Sequence, residues 1–180
     1  MKDSIKSDLH RLGRGVGVKC LINTLITNHG FRHMYYWRNI VEGRNIFNLY
    51  YRYKLRNLRL KTGVEIPYSV KIGKGLYLCH PYCITVNSKA VIGDNVTLYK
   101  GCTIGNQKRG KKSGAPVIGN NVYIGLNSTI VGNVKIGDNV LIAPNTYINI
   151  DIPSNSIVIG NPCVVHYCKD ATKDYIINTI

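Results

Sequence analysis

The chain is short of acids and has no long apolar run. Nine Asp and Glu stand against 24 Lys and Arg in 180 residues, a net charge of +15 with histidine neutral. The excess is concentrated. Residues 1–61 hold thirteen Lys or Arg against Asp3, Asp8 and Glu42, a net of +10, and residues 62–180 hold eleven against six, a net of +5. A basic surface of this kind favours anionic partners, whether phosphate, nucleic acid or anionic lipid. No window approaches the roughly 20 apolar residues that span a bilayer. The best one, Val16 to Ile26, is short and carries Lys19, Asn23 and Thr24. The opening MKDSIKSD mixes acids with bases and has no apolar run behind it, so it does not read as a secretory signal, and a cytoplasmic location is expected.

Metal and disulfide signatures are missing as well. Cys20, Cys79, Cys83, Cys102, Cys163 and Cys168 form no CxxC pair and no zinc-type set with histidine. They read as reduced thiols, since disulfide frameworks belong to small secreted domains. The five histidines are scattered, with only His80 inside the region described next, so no metal is expected. Hydrophobic content of 44% suits a folded chain, and the length suits one compact domain with an appendage.

What the sequence does contain is a repeat. Stepping by six from Ile66 gives Ile72, Leu78 and Ile84. After a slip of two, Val86 leads to Ile92, Leu98 and Ile104, and after a longer break Ile118 leads to Ile124, Ile130, Ile136, Ile142 and Ile148. A second ladder lies four positions on: Val70, Leu76, Ala90, Val96, Cys102, Val122, Ser128, Val134, Val140 and Thr146, with Tyr82 the bulky exception. Gly often follows the first ladder, as in IGKG, IGDN and IGNN, where tight turns need Gly, Asn or Asp. A six-residue period fits neither an amphipathic helix nor an alternating strand. It predicts an all-β solenoid, a parallel β-helix over 62–162 in which three hexads make one triangular coil, about five coils in all.

Three segments interrupt or flank the ladder. Residues 106–116 read as a protruding loop whose Lys108, Arg109, Lys111 and Lys112 are suited to phosphates. Residues 1–61 read as a helical, basic section, with Ile46, Leu49, Tyr50 and Tyr53 at helical spacing. Its Trp37, tyrosines and cations suit either peripheral contact with an anionic membrane or a helix packed on the solenoid with its basic side in water, and the two are compatible. No motif supports nucleic-acid binding, so nucleic acid is not expected. Residues 163–180 read as a C-terminal cap.

His80 breaks the ladder in LCHPY, where structure makes no demand for imidazole. Histidine is the usual general base near neutral pH. Glu65 lies fifteen residues earlier, nearly one coil back, so the two are expected to face each other, with the carboxylate fixing the ring. Cys79 is excluded as an acylated nucleophile for His80, because neighbours on a strand point to opposite faces.

From Val64 to Pro162 the sequence resembles the serine-acetyltransferase branch of the hexapeptide-repeat acyltransferases. VEIPYSVKIGKGLYLCH matches the family's V-D-I-H-P-x-x-x-I-G-x-G-x-x-x-D-H stretch without a gap, and AVIGDNVTLYKGCTIG, PVIGNNVYIG and IGDNVLIAPNT match later segments. The resemblance implies a left-handed β-helix, a homotrimer and acetyl-CoA as co-substrate. It puts the general base on His80 and its orienting acid on Glu65, Glu where the family usually has Asp. It also puts Gly125, Leu126, Ala143 and Pro144 on the pantetheine arm and Gly105 near the thioester.

The departures bear on substrate. The family grips its amino acid with an Asp before the catalytic histidine and an Arg-His pair after the loop; here these positions are Cys79, Gly114 and Ala115. A site without charged partners discriminates against a zwitterion by several powers of ten. The family's long helical front domain is also replaced by a basic section of about sixty residues. The resemblance therefore implies an O-acetyltransferase acting on a saccharide of a capsule or exopolysaccharide pathway. Serine acetylation, acetylation of another small molecule and a non-catalytic membrane-docking scaffold are the alternatives.

Overall fold

The structure, a computed structural model, describes residues 1–43 and 46–180. Four helices come first: α1 Asp3–His10, α2 Val18–Thr27, α3 His29–Glu42 and α4 Asn48–Thr62. The chain then winds through short strands coil by coil. The first coil holds β1 Lys71–Ile72 and β2 Tyr77–Cys79, and the second holds β3 Thr85–Val86, β4 Val91–Ile92 and β5 Thr97–Tyr99. The third holds β6 Thr103–Gly105, β7 Val117–Ile118 and β8 Val122–Ile124, and the fourth β9 Thr129–Val131, β10 Lys135–Ile136 and β11 Val140–Ile142. β12 Tyr147–Ile148 and β13 Ser156–Ile159 form the fifth, and β14 Val164–Tyr167 returns antiparallel to β13.

Strands in equivalent positions pair in parallel, giving three faces: β3-β6-β9-β12, β1-β4-β7-β10 and β2-β5-β8-β11-β13. Glu65 opens the first face by bridging to Thr85. This is the predicted parallel β-helix of hexapeptide repeats, about five coils long. Both aliphatic ladders point inward: Ile84, Leu98, Ile124, Ile130, Ile142 and Ile148 are fully buried, as are Val96, Cys102, Val122, Val134 and Val140. Burial pushes the Cys102 thiol up to about 12, so it is an inert core residue. Tyr82 alone among the second-ladder positions is exposed.

The polar residues after each Gly have a structural task. At the edge between the second and third faces, the side chain of each coil accepts the backbone N–H of the coil before it. Lys74 N donates to Asp94 Oδ1 (2.6 Å), Asp94 N to Asn120 Oδ1 (2.8 Å), Asn120 N to Asp138 Oδ1 (2.6 Å) and Asp138 N to Ser154 Oγ (2.9 Å). Gly93 lets this stack close, because a Cβ there would lie 2.6 Å from Asn120 Oδ1. The next residues, Asn95, Asn121, Asn139 and Asn155, are all left-handed (φ 53–60°), which Asn tolerates.

The helical section closes the first coil. Met34, Trp37 and Ile40 of α3 join the solenoid core, and Trp37 Nε1 donates to Pro67 O (3.3 Å). α4 does not pack by the face that its apolar spacing suggested. Leu55, Leu58 and Thr62 are buried, whereas Leu49, Tyr50 and Tyr53 are exposed, as is Ile46 in the turn before the helix. The inward face is set by contact with α3, a tertiary preference that outweighs the stronger apolar content of the outer side.

Two arginines of this section are buried and bonded internally. The Arg38 guanidinium pairs with Asp8 (3.1 Å), both side chains 2% exposed, and donates to the carbonyls of Ile72 and Gly73. Asp8 also accepts from Leu76 N (3.0 Å). Burial pushes its carboxyl up to about 6, opposed by Arg38 and the Leu76 N–H. Arg11 donates to Gly75 O (3.1 Å), Thr97 Oγ1 (2.9 Å) and Ile177 O. The C-terminal tail covers the last coil with β14 and then runs back along the coils: Thr172 N reaches Asn139 Oδ1 (3.2 Å) and Ile180 N reaches Asn95 Oδ1 (3.2 Å).

Arg38→Met leaves Asp8 buried without its counter-charge and is predicted to cost about 3–5 kcal/mol. Urea denaturation should show most of that loss recovered in the double variant Asp8→Leu/Arg38→Met.

Candidate active site

Position in the triangular cross-section decides which candidate residues can meet. One edge, between the third and first faces, carries His80 on the first coil, Leu126 on the third and Pro144 on the fourth. This edge is regular except at one place. Leu98 to Ile104, Ile124 to Ile130 and Ile142 to Ile148 are each six positions, whereas Leu78 to Val86 is eight. The slip of two in the sequence is thus a physical bulge, residues 79–84, and His80 is on it.

The bulge is held in unusual backbone. Among the described residues, every non-glycine with positive φ is Asn or Asp except His80 (48°) and Cys83 (53°). Such positions cost about 1–3 kcal/mol when the residue does not favour them, and they cluster at functional sites. Tyr82 N donates to His80 O (2.7 Å), and Cys83 N donates to Thr62 O (2.8 Å), which stitches the bulge to the end of α4. The His80 ring is exposed and packs at 5.5 Å and 50° against Tyr99. Tyr99 continues to Tyr123 (5.9 Å) and Tyr123 to Tyr175 (5.1 Å), an aromatic row along the third face.

His80 lines a cleft of about 260 Å³ with Tyr77, Cys79, Tyr82, Thr27 and Asn28. Among the described residues that line it, the ionisable groups are His29, His80, Cys79 and the two tyrosines. Cys79 interacts with both Tyr77 and Tyr99. Burial first, then Cys79, pushes the Tyr77 hydroxyl up to about 12, and the hydrogen bond to Cys79 is the main cause of the rise at Tyr99. These phenols are therefore neutral hydroxyls near neutral pH.

Glu65 is elsewhere. It is exposed on the first face and lines a second cleft with Arg52, Arg56, Arg59, Leu60 and Tyr68. No hydrogen bond or ion pair joins it to His80 among the described residues. The expected facing pair is not formed within this chain. Ile66 to Val86 is a coil of twenty residues, so fifteen residues fall a corner short of a full turn.

The predicted pantetheine residues divide. Ala143 and Pro144 line a cavity of about 590 Å³ with Tyr123, Leu141, Ile157 and Tyr175, between the third face and the tail. Asp170, Lys173 and Asp174 of the tail also line it, and the apolar part of its wall suits a pantetheine arm. Gly125 is buried for a structural reason: a Cβ there would meet Ile142 O at 2.6 Å and Pro144 N at 2.7 Å in the next coil. Leu126 is half-exposed beside it.

Gly105, Gly114, Ala115 and the loop cations leave from a different edge, between the first and second faces. The loop is a hairpin closed by Gln107 and Gly114, which exchange hydrogen bonds of 2.9 Å, and it folds onto the next coil through Asn133 N to Lys112 O (2.9 Å). Lys108, Arg109 and Lys111 are exposed. No group of three or more His, Cys, Asp or Glu side chains that could hold a metal is found among the described residues. The tyrosine row beside His80 was missed from sequence, although Tyr77, Tyr99 and Tyr123 recur on one face and could have signalled it.

Residues 115–149 match the family described as "Bacterial transferase hexapeptide (six repeats)". Over 104 residues the chain is 41% identical to a serine acetyltransferase of Staphylococcus epidermidis, covering 58% of this chain and 49% of that protein. It is 37% identical over 118 residues to a serine acetyltransferase of Synechococcus elongatus, covering 64% and 48%. The chain spans about half the length of the curated relatives it matches. Soybean serine acetyltransferase, solved without ligand, superposes with a TM-score of 0.73 at 27% identity, covering 91% of this chain and 67% of that one. That coverage takes in most of the front section, so these helices have a counterpart in the fold from which the sequence set them apart.

Cys83→Asn places a residue that tolerates left-handed backbone at the bulge. It is predicted to raise stability by about 0.5–1 kcal/mol in thermal unfolding, because the exposed thiol contributes no packing.

Proposed function

We propose that the chain is an acetyl-CoA-dependent O-acetyltransferase in which His80 is the general base and the acceptor is a saccharide hydroxyl. The observation that carries this reading is the His80 cleft: an imidazole on an outlying bulge, walled by tyrosines, with no carboxylate or guanidinium among the described residues that line it. A zwitterionic amino acid needs a counter-charge for each of its ends when it leaves water. A sugar ring needs apolar faces and neutral hydrogen-bonding groups, and Tyr77, Tyr82, Thr27 and Asn28 supply them.

Acetyl-CoA supplies the acyl group as a thioester. His80 takes the proton of the acceptor hydroxyl as its oxygen bonds to the acyl carbon, and returns a proton to the sulfur as the C–S bond breaks. Tyr99 limits the rotation of the ring, and the bulge backbone holds it out from the coil. The apolar cavity at Ala143 and Pro144 takes the pantetheine arm, with Leu126 between it and His80 on the same edge. The loop cations lie on another edge; in the homotrimer that this reading includes, they would reach the phosphates of that coenzyme from a neighbouring subunit. No described helix is long and apolar enough to cross a membrane.

Serine is the second reading, favoured by the names of the relatives. Against it stand Cys79, Gly114 and Ala115, none of which carries a charge that could grip an amino acid.

Free-thiol release from acetyl-CoA, measured with serine and a saccharide panel, separates the two, and efficient turnover of serine would sink the saccharide reading. His80→Asn is predicted to lower turnover about 10²–10⁴-fold. Its melting temperature should be unchanged or higher, because Asn accepts the backbone that His80 occupies.

A further inference from the structure

The cleft that holds Glu65 has a charge pattern that the acetyl-transfer step does not use. Arg52, Arg56 and Arg59 lie at helical spacing on α4 and line a cavity of about 460 Å³ with Leu60, Glu65 and Tyr68. Three guanidinium groups face one carboxylate. Arg52 is held in place: its Nε donates to Asn48 Oδ1 (2.7 Å), and its guanidinium sits 5.1 Å over the Tyr68 ring. The side chains of Arg56 and Arg59 have no hydrogen bond or ion pair to any described residue, although the Arg59 carbonyl accepts from Gly63 N (2.7 Å). The other described arginines of the front section, Arg11, Arg14, Arg32 and Arg38, all donate to protein acceptors. Two unspent guanidinium forks at the mouth of a cavity, beside a third that is preorganised, form a receptor for tetrahedral anionic oxygens.

The cavity is next to the His80 cleft along the chain. Cys83 of the His80 bulge is bonded to Thr62 (2.8 Å), three residues after Arg59 and three before Glu65. The loop cations stand on a different edge, so this cavity is separate from the loop assigned to the coenzyme's phosphates.

We propose that the arginine cavity binds a phosphate or diphosphate group carried by the acceptor; this deepens the acetyl-transfer reading above by naming the substrate as a phosphorylated saccharide. The diphosphate comes either from a soluble nucleoside diphosphate sugar or from a polyprenyl-linked sugar in a membrane. Both present the same group to Arg56 and Arg59.

Binding without turnover tests this independently of the catalytic reading. Titration calorimetry with inorganic diphosphate and with a uridine diphosphate sugar, and flotation with phosphatidylcholine vesicles carrying a polyprenyl phosphate, are compared for the wild type and Arg56→Gln/Arg59→Gln. At least one probe is expected to bind the wild type and to bind the double variant at least about tenfold more weakly, with coenzyme A affinity unchanged. Response to the soluble probes identifies a nucleotide source, and response to the vesicles alone identifies a lipid one. Failure of every probe to bind the wild type overturns the proposal. So does loss of diphosphate binding in Lys111→Gln/Lys112→Gln while the arginine variant retains it. Equal flotation with phosphatidylglycerol vesicles, without binding of any soluble probe, would assign the arginines to a bilayer surface and overturn it too. If His80→Asn abolished no activity while the arginine cavity still bound diphosphate, the catalytic reading would fall and the anion site would stand.

Discussion

A β-solenoid closes only if each coil returns its inward residues to positions directly above those of the coil before. Here that constraint is met by aliphatic side chains every six residues, packed to zero exposure at Ile84, Leu98, Ile124, Ile130 and Ile148. Backbone pairing and side-chain stacking enforce the same register, since a slip of one residue would turn the inward set outward. The carboxamides and carboxylates of Asp94, Asn120 and Asp138 reinforce it by accepting N–H groups from the neighbouring coil. So rigid a stack makes any departure from six informative. The edge that carries His80 departs by two residues, and those residues carry the unusual backbone at His80 and Cys83.

The open first coil is covered by the helices, and buried charge decides how. Asp8 and Arg38 lock α1 and α3 onto the backbone of Ile72, Gly73 and Leu76, while Arg11 ties α1 to the second coil and to the returning tail. The net charge of this section therefore overstates what it offers to solvent at those points. What remains free is arranged unevenly: Arg56 and Arg59 open toward the Glu65 cleft, and the apolar side chains of α4 that face water are Leu49, Tyr50, Tyr53 and Leu60.

Much of this was legible in the residues, for identifiable reasons. The ladder from Ile66 to Ile148 is periodic, so fold, coil number and core followed directly from spacing. His80 was visible because it broke the period. That Glu65 and His80 do not meet within the chain did not follow from a fifteen-residue spacing, because the bulge lengthens that coil to twenty residues and leaves the two in separate clefts. Which face of α4 is buried did not follow from spacing, because it depends on contact with α3, which no local pattern encodes. Nor did spacing show that the loop cations and His80 leave from different edges, since that depends on which corner each segment turns.

The central claim is that the long corner at His80 and the cavity at Ala143 and Pro144 form one acetyl-transfer groove along a single edge of the solenoid. A crystal structure with coenzyme A tests it most directly. The account predicts the pantetheine arm against Ala143 and Pro144, with its sulfur within about 3–4 Å of the imidazole of His80 and its phosphates against loop cations of a neighbouring subunit. A coenzyme bound away from this edge, with its thiol remote from every His80 in the assembly, would contradict it.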